Sequence, residues 1–458
     1  MTLEFATSQT LEEFAAVCGS HPRVKNQQAL DVAQSAFKDT IACIFAASTD
    51  PVTNAVRRTL NENSIGKGSA IGSMKSFSAE NAAMINGTAA HALDFDDNFL
   101  PAITHASAVL VPTLLALGEE RESVGGDLLD AYIIGLEAQA WLGDQMSPSH
   151  YIAGWHATST IGAVGAAAAS ARLLSLNTVQ VRNALSIACS LAGGSKIQFG
   201  TMVKPLHAGL AAQSGIIAAR LAASGVEAHP NPIAGEWGFA NLHHGQLIRS
   251  RSSRDHYTII VDGLAQKRFP CCASAHRSLD AIIAIRRSNN IDPEDIASIE
   301  TIVPTSNFRN LRFDYPRDEK EARFSMTYCS AVAALFGKAS LADFQPDSIN
   351  RPSVQAMMAK VTMRDAGTKS DRGIGIWDFP AETRITLKDG SVLSKSIQQP
   401  VGTRGKPLTE QDHQNKFVDC VANKISKNDF NELATTLSNF QKITTNQLMV
   451  FFQGAGRL

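Results

Sequence analysis

Seven alanine- and glycine-rich segments follow one another between about residues 27 and 224, beginning with QQALDVAQSAFKDTIACIFAAS and ending with HAGLAAQSGIIAARLAASG. In each, apolar residues recur at steps of three and four, and turn residues separate one segment from the next, which is the spacing of helices that bury one face. The buried faces are unusually small. Ala and Gly let helix axes approach closely, so the pattern predicts central helices surrounded by others rather than a thin bundle. Tight packing explains this composition on its own. The run GAVGAAAAS has no strand before it, so it does not read as a dinucleotide-binding loop.

The texture changes near residue 257. YTIIVD, ASIETIVP, AETRITL and SVLSKSI read as strands, the last two joined in a hairpin around Lys388, Asp389 and Gly390. Helical stretches intervene at roughly 273–287, 320–336 and 353–360, and EQDHQNKFVDCVANKI and NDFNELATTLSNF return to helix. A chain of 458 residues is too long for one ordinary core. The expected organisation is mainly α: a large helical domain over 1–262, a smaller α+β domain over 263–400, and C-terminal helices over 401–458 that rejoin the first domain.

Hydrophobic residues make up 44% of the chain, charged residues 19%, and the formal net charge is -1. That balance offers no field to attract nucleic acid or an anionic membrane surface. The longest uncharged stretch, between Asp144 and Arg172, holds two histidines, a proline and many small residues, and is a poor membrane span. The seven cysteines show no CxxC pair, which fits reduced, buried thiols, the adjacent Cys271 and Cys272 included. MTLEFATSQTLEEFAAVCGS lacks the basic start and apolar run of a signal peptide. A cytoplasmic protein is expected.

The chemistry-bearing residues sit at helix boundaries. AHALDFDDNFLPAITHAS, residues 90–107, sets Asp94, Asp96 and Asp97 at the end of an apolar helix and reaches His105 after a proline. If the helix continues, Asp94 and Asp97 share a face and Asp96 turns away. A solvated, capping helix end is the plain reading. A divalent metal serving diphosphate chemistry is the sharper one, but it wants a second acidic cluster, and only DPEDI in the smaller domain offers one. His156 precedes a Thr-Ser-Thr helix start suited to an anion. Lys204, Pro205 and His207 interrupt small residues just before another helix, and His276 with Arg277 opens a helix of the smaller domain. Taken singly, each of these has an ordinary structural reading as a core histidine or a surface cation. Together they are imidazoles, an ammonium and carboxylates without metal-ligand spacing, a phosphate loop or a nucleophile elbow. Acid/base chemistry without a cofactor is their common reading; a non-catalytic binding protein is the other class.

Four stretches, GTAAHALDFDD, HYIAGWHATSTIGAVGAAAA, GTMVKPLHAGLAAQSG and PCCASAHRSLDAI, taken in this order resemble the MmgE/PrpD family of 2-methylcitrate dehydratases, cis-aconitate decarboxylases and iminodisuccinate epimerases. The resemblance runs from about residue 27 to the KFVDC helix at 416–420. It implies a discontinuous all-helical domain with an α+β lid, a homodimer, and a small polycarboxylate bound between the domains. It further implies catalytic roles for Asp94, His105, His156, Lys204, His276 and Tyr328, with Asn98, His207 and Arg277 on the substrate side. Asn98 stands where the decarboxylases carry threonine, and the 11 positions from Asp94 to His105 make a path one residue longer than theirs. That spacing and HYIAGWH look more like the epimerase branch, whereas Tyr328 matches the decarboxylases.

All three reactions of the family pass through a carbanion or enediolate beside a carboxylate, so a site must hold one carboxylate, move a proton and stabilise new charge. On that reading Lys204 holds the carboxylate, His156 and His105 act as base and acid, and Asp94 orients a basic neighbour. His276 and Arg277 arrive with the lid, whose closure excludes water.

Overall fold

The computed structural model describes residues 10–61, 65–245, 256–368 and 379–455. The first residues of the N-terminal stretch judged unlike a signal peptide lie outside these. The fold is mainly α, as the spacing predicts. It divides into two compact units, one formed by the chain up to Gln198, by Val203–Leu264 and by the chain from Gln414 onward, the other by Phe199–Met202 and Ala265–His413.

The larger unit opens with α1 (Leu11–Ser20), α2 (Gln27–Ala46), α3 (Pro51–Asn61), α4 (Ala79–Ala92), α5 (Ala106–Glu120), α6 (Gly125–Met146), α7 (Ala157–Leu173), α8 (Thr178–Leu191) and α9 (Val203–Ala223). Every residue of α7 from Ala157 to Ala171 is buried, and this helix packs against α5, α6, α8 and α9. It is the central helix that the small-residue composition calls for. α4 packs tightly along α9. A β-carbon on Gly209 of α9 would lie 2.3 Å from the carbonyl oxygen of Met84 on α4, so only glycine fits there. The two helices run antiparallel, with Gln213 bonded to Asn81 at one level and Lys204 meeting His91 at the other. Glycine contact in mid-helix therefore sets how near Lys204 comes to the end of α4.

From the C-terminal part, Lys416 of the helix Glu410–Val421 is buried with its Nζ 2.8 Å from Asp39 on α2. The same ammonium donates to the backbone oxygen of Phe95 at 2.7 Å. The end of the chain thus anchors the DFDD loop from beneath.

The smaller unit carries a four-stranded sheet of β1 (Ile296–Val303), β2 (Val361–Asp365), β3 (Ala381–Leu387) and β4 (Val392–Ile397), in the order β2-β1-β3-β4. β1 pairs parallel with β2 and antiparallel with β3, while β3 and β4 form the expected hairpin, with Gly390 at φ 86° in its turn. Its core joins Leu279 and Ile282 of the helix Ala273–Asn289 to Val332 of the helix Met326–Phe336 and to Ile299 and Ile385 of the sheet.

Two sequence expectations need correction. YTIIVD is not a strand: Thr258–Val261 forms a helical turn, because the Glu137 carboxylate accepts from the Thr258 N–H at 2.6 Å and from its hydroxyl at 2.8 Å. A carboxylate at that position caps a helical start and leaves the segment no ladder to join. The stretch 320–336 is two helices, Glu319–Ala322 and Met326–Phe336, because the Ser325 hydroxyl accepts from the Tyr328 N–H at 3.1 Å and begins a new helix. Among the described residues no helix is long and apolar enough to cross a membrane. No disulfide joins the seven cysteines, of which six are buried and Cys272 is half-buried.

Candidate active site

α4 does not continue through the aspartates. It ends at Ala92, and Asp94 takes a left-handed φ of 52°. The expectation that Asp94 and Asp97 share a helix face therefore fails, and the carboxylates point by the loop's own logic. Lys416 holds the Phe95 carbonyl, Phe99 and Thr104 pair backbone to backbone at 2.7 and 3.2 Å, and the His105 N–H donates to the Thr158 hydroxyl at 3.0 Å. Asp97 turns toward α5, accepting from the Ser107 N–H at 3.3 Å and from its hydroxyl, which itself lies 2.6 Å from the Tyr132 hydroxyl. Burial, with Asp39 and Asp96 nearby, pushes its carboxyl up to about 7 against the pull of the Ser107 hydrogen bonds. None of the three aspartates is solvated; all are buried.

Asp94 and Asp96 face the opposite way, toward a cluster of cationic and imidazole groups. Lys204 sits in the first turn of α9 beside Pro205, which suits a helix start. The expectation of residues just ahead of a helix is thus off by one turn. The Lys204 ammonium donates to Asp94 and, at 2.9 Å, to Nε2 of His91. The other nitrogen of that ring, Nδ1, donates to Asp96 at 2.9 and 3.0 Å. Nδ1 of His105 lies 3.1 Å from the same carboxylate. The His91 ring centroid is 4.3 Å from that of His105 and 5.8 Å from that of His156. His156 caps α7, its N–H bound to the Gly194 carbonyl at 3.0 Å, and its Nδ1 lies 3.0 Å from Nδ1 of His207 on α9.

Electrostatics follow from burial. Desolvation drives His91 down to about 3 even though Asp96 favours its charged form. It drives His156 well below an ordinary imidazole, helped by the Lys204 charge, and His207 down to about 4. Burial alone would raise Asp96; the imidazoles of His91 and His105 more than offset it and hold the carboxyl well below its usual range. The resting site therefore sets one ammonium against two carboxylates, with the imidazoles of His91, His156 and His207 neutral.

Sequence reasoning placed Asp94, His105, His156, Lys204 and His207 here, and the larger unit brings all five together. It missed His91 and Asp96. His91 lies on an apolar helix face, where a histidine usually only packs, and Asp96 turns away on any helix that continues; the one signal was that both fall inside the HALDFDD stretch. Asn98 follows on the same loop, half-buried, its Nδ2 without a hydrogen-bond partner among the described residues. His207, expected on the substrate side, faces His156.

The three aspartates weighed as a metal cluster do not converge, since Asp97 points elsewhere. Ligand-type atoms of His91, Asp94, Asp96 and His105 do lie within 4.8 Å of one another. The Lys204 ammonium already bonds two of those four, so in this arrangement the donor set serves a protein cation.

The remaining predicted residues belong to the smaller unit. His276 is buried and donates from Nε2 to the Cys271 carbonyl at 3.2 Å; Arg277 is buried, bonded to the Phe379 carbonyl, and lowered by desolvation to about 10. Tyr328 lies in that unit's core with its hydroxyl donated to the Asp343 carbonyl. The basic pair is thus not a surface feature.

A buried ammonium among imidazoles on a mainly α scaffold gathers the groups that proton transfer beside a carboxylate requires. Comparison with known proteins gives this site a family. Residues 12–248 match the MmgE/PrpD N-terminal domain and residues 269–439 the MmgE/PrpD C-terminal domain. The chain is 31% identical to the cis-aconitate decarboxylase of Mus musculus, across 79% of this chain and 76% of the mouse protein. It is 33% identical to that of Homo sapiens, across 73% and 71%. With the cis-aconitate decarboxylase of Aspergillus terreus the identity is 25%, across 85% and 84%. The chain belongs to the MmgE/PrpD family.

Proposed function

We propose that this protein is a carboxylate lyase that decarboxylates a small tricarboxylate of the cis-aconitate type. One observation carries the reading: Lys204, bonded to Asp94 and His91, stands among the imidazoles of His105 and His156 in a buried site. The names of the mammalian and fungal relatives support the substrate class. In the reaction the bond from carbon to the departing carboxylate breaks, carbon dioxide leaves, and the electron pair passes into the adjacent alkene and its carboxylate. The Lys204 ammonium neutralises the charge that gathers on that carboxylate, and a proton taken up from solvent reaches carbon through an imidazole, at His105 or His156. Desolvation strengthens each of these interactions.

Asn98 and the longer path from Asp94 to His105 favour a second reading, proton exchange on an iminodisuccinate-type dicarboxylate. A homodimer in the cytoplasm completes the proposal; light scattering on the purified chain measures its mass. The deciding experiment incubates chelator-treated enzyme in deuterium oxide with cis-aconitate, 2-methylcitrate and iminodisuccinate and follows each by NMR. Decarboxylation is expected to yield a deuterium-labelled dicarboxylate from cis-aconitate alone. Exchange on iminodisuccinate without loss of carbon selects the second reading, loss of water from 2-methylcitrate selects dehydration, and dependence of turnover on added divalent ion overturns the metal-free chemistry.

A further inference from the structure

A single buried carboxylate serves two imidazoles here. Asp96 places an oxygen 2.9 Å from Nδ1 of His91, and that same oxygen is 3.1 Å from Nδ1 of His105. A carboxylate only accepts, so the ring of His91, hydrogen-bonded to it, carries its proton on Nδ1 and presents a lone pair at Nε2, and the close Nδ1 of His105 is drawn to the same tautomer. In water the opposite tautomer of histidine dominates. What happens at Nε2 differs between the rings. His91, with its side chain 0% exposed, receives the Lys204 ammonium at 2.9 Å. The side chain of His105 is 14% exposed, so it is the member of the pair within reach of a ligand.

We propose that Asp96 is the positioning residue of this site: through Nδ1 it sets the tautomers of both rings, so that His105 exchanges its catalytic proton at Nε2 while His91 holds Lys204 in place. Asp96 touches no substrate in this scheme. The inference rests on the acid/base reading above, but its geometry stands without a particular substrate. It also gives the second carboxylate of DFDD a task distinct from those of its neighbours, since Asp94 pairs with Lys204 and Asp97 anchors α5.

Asp96→Asn is the informative substitution. An amide offers one oxygen and one N–H₂ group; because Nδ1 of His91 lies beside both carboxylate oxygens, the N–H₂ opposes its proton in either orientation, and at the shared oxygen it opposes that of His105 as well. The full chain labelled with ¹⁵N-histidine reports this directly, because protonated and unprotonated ring nitrogens resonate far apart; His91→Gln and His105→Gln assign the signals. Wild-type protein is expected to show both rings protonated at Nδ1 and bare at Nε2, and Asp96→Asn to convert at least one. The variant is expected to lose about a thousandfold or more in kcat, as when the orienting carboxylate of a catalytic histidine becomes an amide, with KM changed far less. Nε2-protonated rings in wild type, unaltered tautomers in a folded Asp96→Asn, or kcat within tenfold of wild type would each overturn the proposal. The wild-type spectrum decides even if the variant does not fold. Correct tautomers with no turnover on any carboxylate would instead strike the lyase reading and leave the assignment of Asp96 standing.

Discussion

Nδ1 of His156 faces Nδ1 of His207 across 3.0 Å, so one ring donates and the other accepts, and the two are locked in complementary tautomers. Burial keeps both neutral at neutral pH, the Lys204 charge adding to the effect. His207 then acts on His156 as an outer partner acts on a catalytic base, by fixing which nitrogen carries the proton. Replacing His207 with Phe removes the partner and keeps the bulk. The expected loss in kcat is about 10–100-fold, while His156→Ala abolishes turnover. Steady-state kinetics on the substrate identified by NMR distinguish the two, and an unchanged kcat in His207→Phe would show that the pair merely packs.

The Lys204 and Asp94 side chains are each 5% exposed and bonded to one another. Removing one partner of a buried pair leaves the other charged and unsatisfied, which costs about 3–5 kcal/mol. Lys204→Ala is therefore expected both to abolish turnover and to destabilise. The double variant Lys204→Met with Asp94→Asn removes both charges, and should recover most of the unfolding free energy while remaining inactive. Denaturant unfolding of the two proteins checks the first half and kinetics the second. A double variant no more stable than Lys204→Ala would mean that the ion pair is not what holds this part of the fold.

Much of this architecture is legible in the chain because helices with small buried faces leave a period that needs no tertiary information. Ala106–Glu120 and Gly125–Met146 begin and end within a residue of where the spacing places them, whereas Ala79–Ala92 stops three residues short of the apolar pattern. What was not legible depends on distant partners. Val361–Asp365 is a short, largely polar stretch that becomes a strand only because β1 pairs with it in parallel. Thr258–Val261 reads as a strand until Glu137, 121 positions away, caps it as a helix. The same reason hid part of the site. Once the helix stops at Ala92, the direction of each aspartate is set by Lys416, Ser107 and His91, none of which local spacing can reveal. The resemblance to the MmgE/PrpD family brought Asp94, His105, His156 and Lys204 together before the structure did, but it offered no role for His91 or Asp96.

The packing of α4 on α9 makes activity sensitive to a residue far from any reacting group. A β-carbon on Gly209 would meet the Met84 carbonyl at 2.3 Å and the Thr88 hydroxyl at 2.4 Å, and backbone cannot step aside as a side chain can. Gly209→Ala should force the helices apart at a cost of about 1–3 kcal/mol and carry Lys204 away from His91. The expected signature is a fall in kcat larger than loss of folded protein explains, measured at a temperature where circular dichroism shows the variant fully folded. Wild-type kcat in the folded variant would show that the helix spacing does not set the position of the ammonium.

Opposite pH dependences are built into the same core, and one substitution separates them. Burial drives His91 down to about 3 and His150 down to about 4, from an ordinary 6.5. Below pH 6.5 the unfolded chain takes up protons that these rings refuse in the fold, so each contributes stability that is full above that pH and is lost as pH falls toward 4, by about 1.4 kcal/mol per pH unit. Asp97 runs the other way. Its carboxyl is raised from 3.8 to about 7, so its contribution is full below 3.8 and is lost as pH rises through 7. Between about pH 4 and 6.5 the histidines outnumber it, and the melting temperature is expected to climb. Asp97→Asn keeps an oxygen for the Ser107 N–H and cannot ionise, so its melting temperature should gain on wild type from pH 5 to about pH 7 and level off above that. Calorimetry at unit steps of pH tests this. A variant that loses ground at high pH would mean that Asp97 is folded as a carboxylate, and that Ser107 and Tyr132 together hold its charge.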